Sequence, residues 1–459
     1  MTQTSHRKMR LLSFPLGAGS HIAGWRHPAA RDVRVDDPDY YRHLAQTAER
    51  GLFDAMFLAD SQGFRSMQGR HAFSRTDVLR LDALTILSAA AAWTTHLGLI
   101  GTVSTSYNEP YGAARRLASL DILSRGRAGW NVVTSTSENE AHNFGRDMHF
   151  EHDERYARAA EFLEVCKGLW DSFDDDAVVC DQESGRYFDP DKAHGLAHKG
   201  KHFSVAGPLT TPRSPQGYPV IVQAGSSEAG LTLAAATAEV VFTTSPELAT
   251  ARRLYRDIKD RVAAAGRNPD HCLVMPALHP IVADTEAQAK AILAELNELV
   301  HPDVAISALQ QSLGGVDLSG YDLNGPLPAV PETNRNRTVR ARTLEIAERE
   351  NLTILQLARR ICVAKSSLPL AGDPDQVADV MQEWFETGAA DGFAVSGPVM
   401  PWMLDSFVDK VVPVLQARGL FRTAYEGTTL RENLGLPRPS SRHEGRPELH
   451  VEPEIWLTA

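Results

Sequence analysis

Cysteine is scarce, with four in 459 residues at Cys166, Cys180, Cys272 and Cys362. No two form a C-x-x-C pair, which removes a zinc ribbon and a dithiol redox motif. A chain of this length does not depend on a disulfide framework, and reduced thiols point to the cytoplasm. No run of about 18 apolar residues occurs, nor an apolar stretch of signal-peptide length near Met1, so neither a spanning helix nor a secretory leader is expected. Positive charge is in deficit: 47 Lys and Arg face 58 Asp and Glu, a formal net charge of −11. That balance argues against nucleic acid or an anionic membrane as a partner. H-E-x-x-H, G-x-S-x-G and G-x-x-x-x-G-K-[ST] are missing, and with them the metalloprotease, serine hydrolase and P-loop readings. No G-x-G-x-x-G follows a strand, since Gly17-Ala-Gly19 lacks the third glycine.

What is present is an alternation. Short apolar runs recur at Leu11–Leu16, Asp54–Asp60, Leu97–Thr105, Ala128–Ser135, Pro219–Gly225, Glu239–Thr244, Leu273–Ala283 and Gly392–Gly397. Between and after them the pattern predicts helices over Pro38–Arg50, Leu81–Thr94, Pro110–Ser124, Asp153–Phe173, Ser227–Ala238, Pro246–Ala264, Thr285–Val300 and Trp402–Ala417. Eight strand–helix units predict an α/β fold, the (β/α)8 TIM barrel. Strands that are apolar throughout fit a sheet covered on both faces. A single domain over 1–459 is expected, with insertions at 174–217 and 299–371 and a C-terminal arm from about residue 425.

A barrel carries its chemistry at the C-terminal ends of its strands. Asp60 ends the second run, as a functional carboxylate or as the cap of the following turn. Thr102 and Ser104 alternate on the third, so their hydroxyls share a side. Asn131 lies within an apolar strand, and a buried amide needs partners. Gly225-Ser226-Ser227 opens a helix, where free N–H groups and the positive dipole end suit a phosphate. An ordinary N-cap would look the same. His152 and Tyr156 are four apart and share one helix face, as a surface pair also would. His194, His198 and His202 recur every four residues, but Gly195 and Gly200 break a helix there. No carboxylate completes a metal site, so a turn-rich loop is the better reading.

Longer stretches carry a resemblance. Gly101-Thr-Val-Ser-Thr-Ser-Tyr-Asn-Glu-Pro-Tyr111, Arg127-Ala-Gly-Trp-Asn-Val-Val-Thr-Ser135, Asn143-Phe-Gly145, His198-Lys-Gly-Lys-His-Phe203, Gly207-Pro-Leu209 and Pro219-Val-Ile-Val-Gln-Ala-Gly-Ser-Ser227 are similar to the bacterial-luciferase-like flavin monooxygenases. More narrowly, they resemble the branch of the nitrilotriacetate, dibenzothiophene sulfone and long-chain alkane monooxygenases, and the match runs from about Leu11 to Gln416. The resemblance implies a barrel that holds reduced FMN at its mouth, delivered transiently by a separate NAD(P)H:flavin reductase. It implies O2 and a small organic substrate as reactants, oxygenated through a flavin (hydro)peroxide, and a homodimer or homotetramer. Carried over by motif, Asp60, Thr102, Ser104 and Asn131 should surround the isoalloxazine, and His152 and Tyr156 should contact the cofactor. Gly225, Ser226 and Ser227 should take its phosphate. His21, just after the first strand, is the candidate catalytic residue, and a structural loop histidine is its alternative. Trp25, Phe64, His71, Phe73 and Phe242 are candidate pocket walls by loop position, and no metal is expected. Arg65, Arg70 and Arg75 would favour an anionic substrate or form a solvated loop. The alternatives are a flavin-dependent lyase, a deazaflavin-dependent oxidoreductase or a non-catalytic flavin-binding protein. A barrel glycosidase lacks a second carboxylate beside Asp60.

Overall fold

The structure, a computed structural model, describes residues 7–30, 33–64, 74, 79–135, 137–225, 227–332, 337–364 and 368–444. In chain order the strands are β1 (Arg10–Ser13), β2 (Ala55–Leu58), β3 (Gly98–Ser104), β4 (Ala128–Val133), β5 (Val178–Asp181), β6 (Arg186–Phe188), β7 (His198–Lys199), β8 (Ser204–Val205), β9 (Val220–Gln223), β10 (Val240–Thr243), β11 (Leu273–Val282), β12 (Leu368–Gly372) and β13 (Gly392–Val395). The helices are α1 (Pro38–Arg50), α2 (Ala83–Trp93), α3 (Pro110–Leu123), α4 (Glu138–Asn143), α5 (His152–Trp170), α6 (Glu228–Thr237), α7 (Leu248–Ala264), α8 (Glu286–Glu298), α9 (Pro302–Ser312), α10 (Arg337–Glu350), α11 (Ile354–Ala364), α12 (Pro374–Glu386), α13 (Trp402–Ser406), α14 (Val412–Ala417) and α15 (Leu430–Leu434).

Eight strands pair in parallel in the order β10-β9-β4-β3-β2-β1-β13-β11, and β10 pairs again with β11, Val240 opposite Leu273, to close the barrel. These are the eight runs expected from the sequence. Several stop short of their expected ends; β4 ends at Val133, and two residues on Ser135 has a φ of 53°, outside the strand region. The segment expected as a 299–371 insertion holds α9, α10, α11 and also β12. The last of these pairs with the outer half of β11, Leu278 opposite Leu368 through Val282 opposite Gly372. α12 follows, opened by a capping box in which Asp373 and Gln376 exchange bonds with each other's backbone. Two antiparallel hairpins, β5–β6 and β7–β8, occupy the 174–217 segment.

The barrel axis is filled by Leu12, Phe14, Ala55, Phe57, Ile100, Val220, Val222, Val240, Leu273, Met275 and Ala394. The stretch past Tyr425, read from the sequence as an arm, supplies the floor. Leu430, Leu434 and Leu436 are buried in this same interior cluster. Room for them comes from glycine, because a Cβ on Gly98 would stand 2.5 Å from the Leu430 side chain. Arg431, nearly fully buried, pairs with Glu239, whose Oε2 also accepts from Ile221 N at 3.0 Å. Arg422 likewise pairs with buried Asp54 and donates to Asn433 O at 2.7 Å. No helix among the described residues is long and apolar enough to cross a membrane.

Removing one partner of a buried ion pair strands the other charge, at a cost of about 3–5 kcal/mol. Arg431→Ala is therefore expected to lower the free energy of unfolding by about that amount in urea titration. Adding Glu239→Gln to it should recover part of the loss. An unchanged midpoint for the single variant would show that the floor does not depend on the pair.

Candidate active site at the barrel mouth

The polar lining begins on β3 and β4, where pairing sets Thr102 opposite Asn131. Thr102 Oγ1 donates to Leu58 O on β2 at 2.9 Å and accepts from Asn131 Nδ2 at 2.9 Å. Asn131 Oδ1 is buried and finds no partner among the described residues, which leaves one strong acceptor. Ser104 Oγ lies 2.8 Å from Ser135 Oγ. Ser135 is held in its left-handed conformation at both ends, since Arg155 Nη1 donates to its carbonyl at 2.5 Å. That guanidinium also donates to His149 Nε2 at 3.1 Å, so His149 carries its proton on Nδ1, the atom facing the Tyr107 hydroxyl. Burial depresses the His149 pKa, in keeping with a neutral ring.

Asp60 sits at the end of β2, as expected, and its oxygens are engaged by backbone. Oδ1 accepts from Ser61 N at 2.7 Å and Oδ2 from Ala83 N at 3.3 Å, the start of α2. Burial pushes its carboxyl pKa up in spite of these donors. The capping reading of Asp60 thus describes its bonds in this structure, while its side chain still lines the cavity.

The start of α6 meets α5. Ser227 Oγ accepts from Gly230 N at 3.2 Å, the N-cap bond, and donates to Tyr156 Oη at 3.2 Å. His152 packs against Tyr156 with ring centroids 5.0 Å apart. The approach is close because residue 230 is glycine; a Cβ there would lie 3.0 Å from Tyr156 Oη and 3.1 Å from Ser227 Oγ. Gly225, Ser227, His152 and Tyr156, singled out separately in the sequence, thus share one wall. Ser226 lies outside the described residues, as do His71, Phe73, Arg65, Arg70 and Arg75.

Asp60, Ser135, Arg155, His152, Tyr156 and Ser227 border one cavity of about 1720 Å³ between the barrel mouth and the α9–α11 helices, whereas Thr102, Ser104 and Asn131 are not among its lining residues. A site for one small molecule usually measures about 300–1,000 Å³, so there is space for a cofactor and a second molecule. His21 lines it and is buried. Its Nδ1 accepts from Ala23 N at 3.2 Å, which leaves the proton on Nε2. Burial lowers its pKa to about 4, only partly opposed by the nearby Asn297 side chain. Neither Nε2 nor Asn297 Oδ1 closes a bond of ordinary geometry among the described residues.

Of the expected pocket walls, the three among the described residues do not line this cavity. Trp25 and Phe64 are exposed, and Trp25 Nε1 donates to Ser74 O at 3.2 Å. Phe242 packs inside the barrel against Phe14 and Phe57, at centroid distances of 4.9 and 5.7 Å. Tyr40, Tyr41, Ile86, Phe150 and Ile346 line the cavity instead. Most of these point inward from helices, so reading loop positions missed them. The three histidines at four-residue spacing do not converge. His194 pairs with Asp174 at 3.0 Å and His198 with Glu161 at 3.1 Å, and no metal-holding group of three occurs among the described residues.

Comparison with known proteins agrees with this geometry. The family described as luciferase-like monooxygenase matches residues 18–391. N-acetyl-S-(2-succino)cysteine monooxygenase of Bacillus subtilis (strain 168) is 48% identical over 445 residues, 96% of this chain and 99% of the relative. Nitrilotriacetate monooxygenase component A of Aminobacter aminovorans is 48% identical over 432 residues, 92% and 95% of the two chains. The crystal structure of riboflavin lyase with modified FMN and riboflavin superposes with a TM-score of 0.84 at 34% identity, covering 95% of this chain and 98% of that one.

A depressed histidine pKa carries a stability signature. The contribution of His21 is complete above its unfolded pKa of about 6.5 and is lost as the pH falls toward 4, because the unfolded chain binds the proton first. Imidazole NMR should show His21 uncharged throughout pH 6–8, and His21→Asn should flatten the acid limb of the stability profile. A His21 titration near 6.5 would contradict the geometry.

Proposed function

The chain belongs to the luciferase-like monooxygenase family and is a flavin-dependent monooxygenase, and from that premise we propose how it works. It is the oxygenase component of a two-component system, taking reduced FMN from a separate NAD(P)H:flavin reductase and acting on a small organic molecule. The observation that carries this reading is the convergence of a phosphate-type helix start, the Tyr156 hydroxyl and the buried His21 imidazole on one cavity.

The residues present fit the cofactor. Ser227, Tyr156 and the free N–H groups at the start of α6 suit its phosphate. Asn131 Oδ1, buried and without a partner among the described residues, is the acceptor that a ring N–H would satisfy. Reduced flavin, when bound, supplies the two electrons and the activation of O2. The protein does the remainder. Thr102 fixes the Asn131 amide so that its acceptor points one way. The Ser104–Ser135 pair, braced by Arg155, places two hydroxyls beside it. His21, neutral at working pH, offers a hydrogen bond from Nε2 and not a positive charge. The α9–α11 helices cover the mouth and help keep bulk water out.

Two measurements test the reading. Ser227→Ala and Gly230→Ala should each weaken FMN binding, read by flavin fluorescence, by about tenfold or more, the worth of one charge-assisted hydrogen bond. The purified chain alone should not oxidise NADH at a useful rate. With FMN, NADH and a flavin reductase, turnover of a substrate should add one oxygen atom by mass and stop when O2 is removed; unchanged anaerobic turnover would favour a lyase.

A further inference from the structure

We propose that the substrate carries a carboxylate and that Arg342 receives it where α10 meets the end of β10 on the cavity wall, an inference that rests on the monooxygenase reading above. Arg342 lies on α10 and lines the same cavity as His21 and Ser227. Its Nη1 is anchored just past the end of β10, donating to Thr244 O at 2.7 Å and to Thr244 Oγ1 at 3.0 Å. That double bond to a rigid strand end fixes the plane of the guanidinium. Its Nε and Nη2 make no hydrogen bond to a described residue and are not among the sealed polar atoms, so they remain available to the cavity.

The other buried arginines differ. Arg422 and Arg431 are matched to Asp54 and Glu239, and Arg213 to Asp171 and Asp175. Arg155, the cavity's guanidinium on α5, is committed to Ser135 O and His149. Arg342 has no carboxylate within ion-pair distance among the described residues; Glu345, three residues along α10, acts on it only from further off. A half-buried guanidinium without a counter-ion is costly, and burial lowers its pKa accordingly. Two free donors in a fixed plane match the two oxygens of a carboxylate. On the same cavity wall a Cβ at Gly315 would meet nothing within 4 Å, which leaves room for the rest of such a group.

The test uses the full chain, with nitrilotriacetate, thiodiacetate and N-acetyl-S-(2-succino)cysteine as probes, each beside its methyl ester, followed by calorimetric titration. At least one acid should bind about tenfold tighter than its ester, the scale of one charge-assisted bond. R342Q should lose that preference and R342K should keep part of it, while both bind FMN as the parent does. Equal binding of acids and esters by the parent, or a preference that survives in R342Q, overturns the proposal. If R342Q fails to bind FMN and so has not folded, R342K and the parent's acid-to-ester ratio decide. Failure of the parent itself to bind FMN would sink the monooxygenase reading instead.

Discussion

A parallel barrel leaves the first N–H groups of its strands facing the floor without a strand partner, and an unmade bond there costs as much as any buried polar group. This chain meets the constraint with carboxylates. Asp54 accepts from Leu11 N, Asp391 from Val274 N, Glu239 from Ile221 N and Asp121 from Ala128 N. Glu49 takes Thr95, His96 and Leu97 N together. Carboxylates gathered at one end need neutralising, and the C-terminal segment supplies Arg422 and Arg431 for two of them. Asp121 has only neutral donors, Ser214, Gln216 and Ala128 N, and burial pushes its carboxyl up to about 6.

The consequence is an asymmetric barrel. Its floor is sealed by leucines and ion pairs, while its mouth keeps polar groups only partly matched: Asn131 Oδ1, His21 Nε2 and the free edge of Arg342. At the mouth Ser135 adopts a left-handed φ, and two hydrogen bonds hold it. Stability and chemistry thus occupy opposite ends, and a change at the mouth leaves the floor pairing untouched.

Much of this was legible in the sequence because parallel strands write themselves as continuous apolar runs. All eight barrel strands and the helix starts at Pro38, Pro110 and Glu228 lie where pattern and capping residues put them. The alternating hydroxyls of β3 and the Gly-Ser-Ser helix start were local signals, and Gly225 and Ser227 of the latter line the cavity. β12 escaped because Leu368-Pro-Leu-Ala-Gly372 is brief, contains proline and pairs only beyond the barrel. The floor role of Leu430 escaped for a different reason: it depends on Gly98 and Gly129, which lie more than 300 residues away. Arg127 shows a motif residue whose role was structural, all its donors being spent on Ser124, Thr94, Leu97 and Ala91.

The α9–α11 helices have a core of their own, Ala305, Leu309, Leu313, Ile346, Leu357 and Ile361 among it, separate from the barrel clusters. Their links to the mouth include polar ones: Arg342 to Thr244, Arg349 to Glu247 and Ile22 N to Cys362 O. A wall packed on its own core can change its lining residues without disturbing the strands that position Asn131 and Ser227. The barrel side of the cavity is therefore tied to the constraints of barrel closure, and the helical side is not. In a family whose members are monooxygenases of different substrates, that division of packing lets the helical wall vary while the barrel side stays fixed.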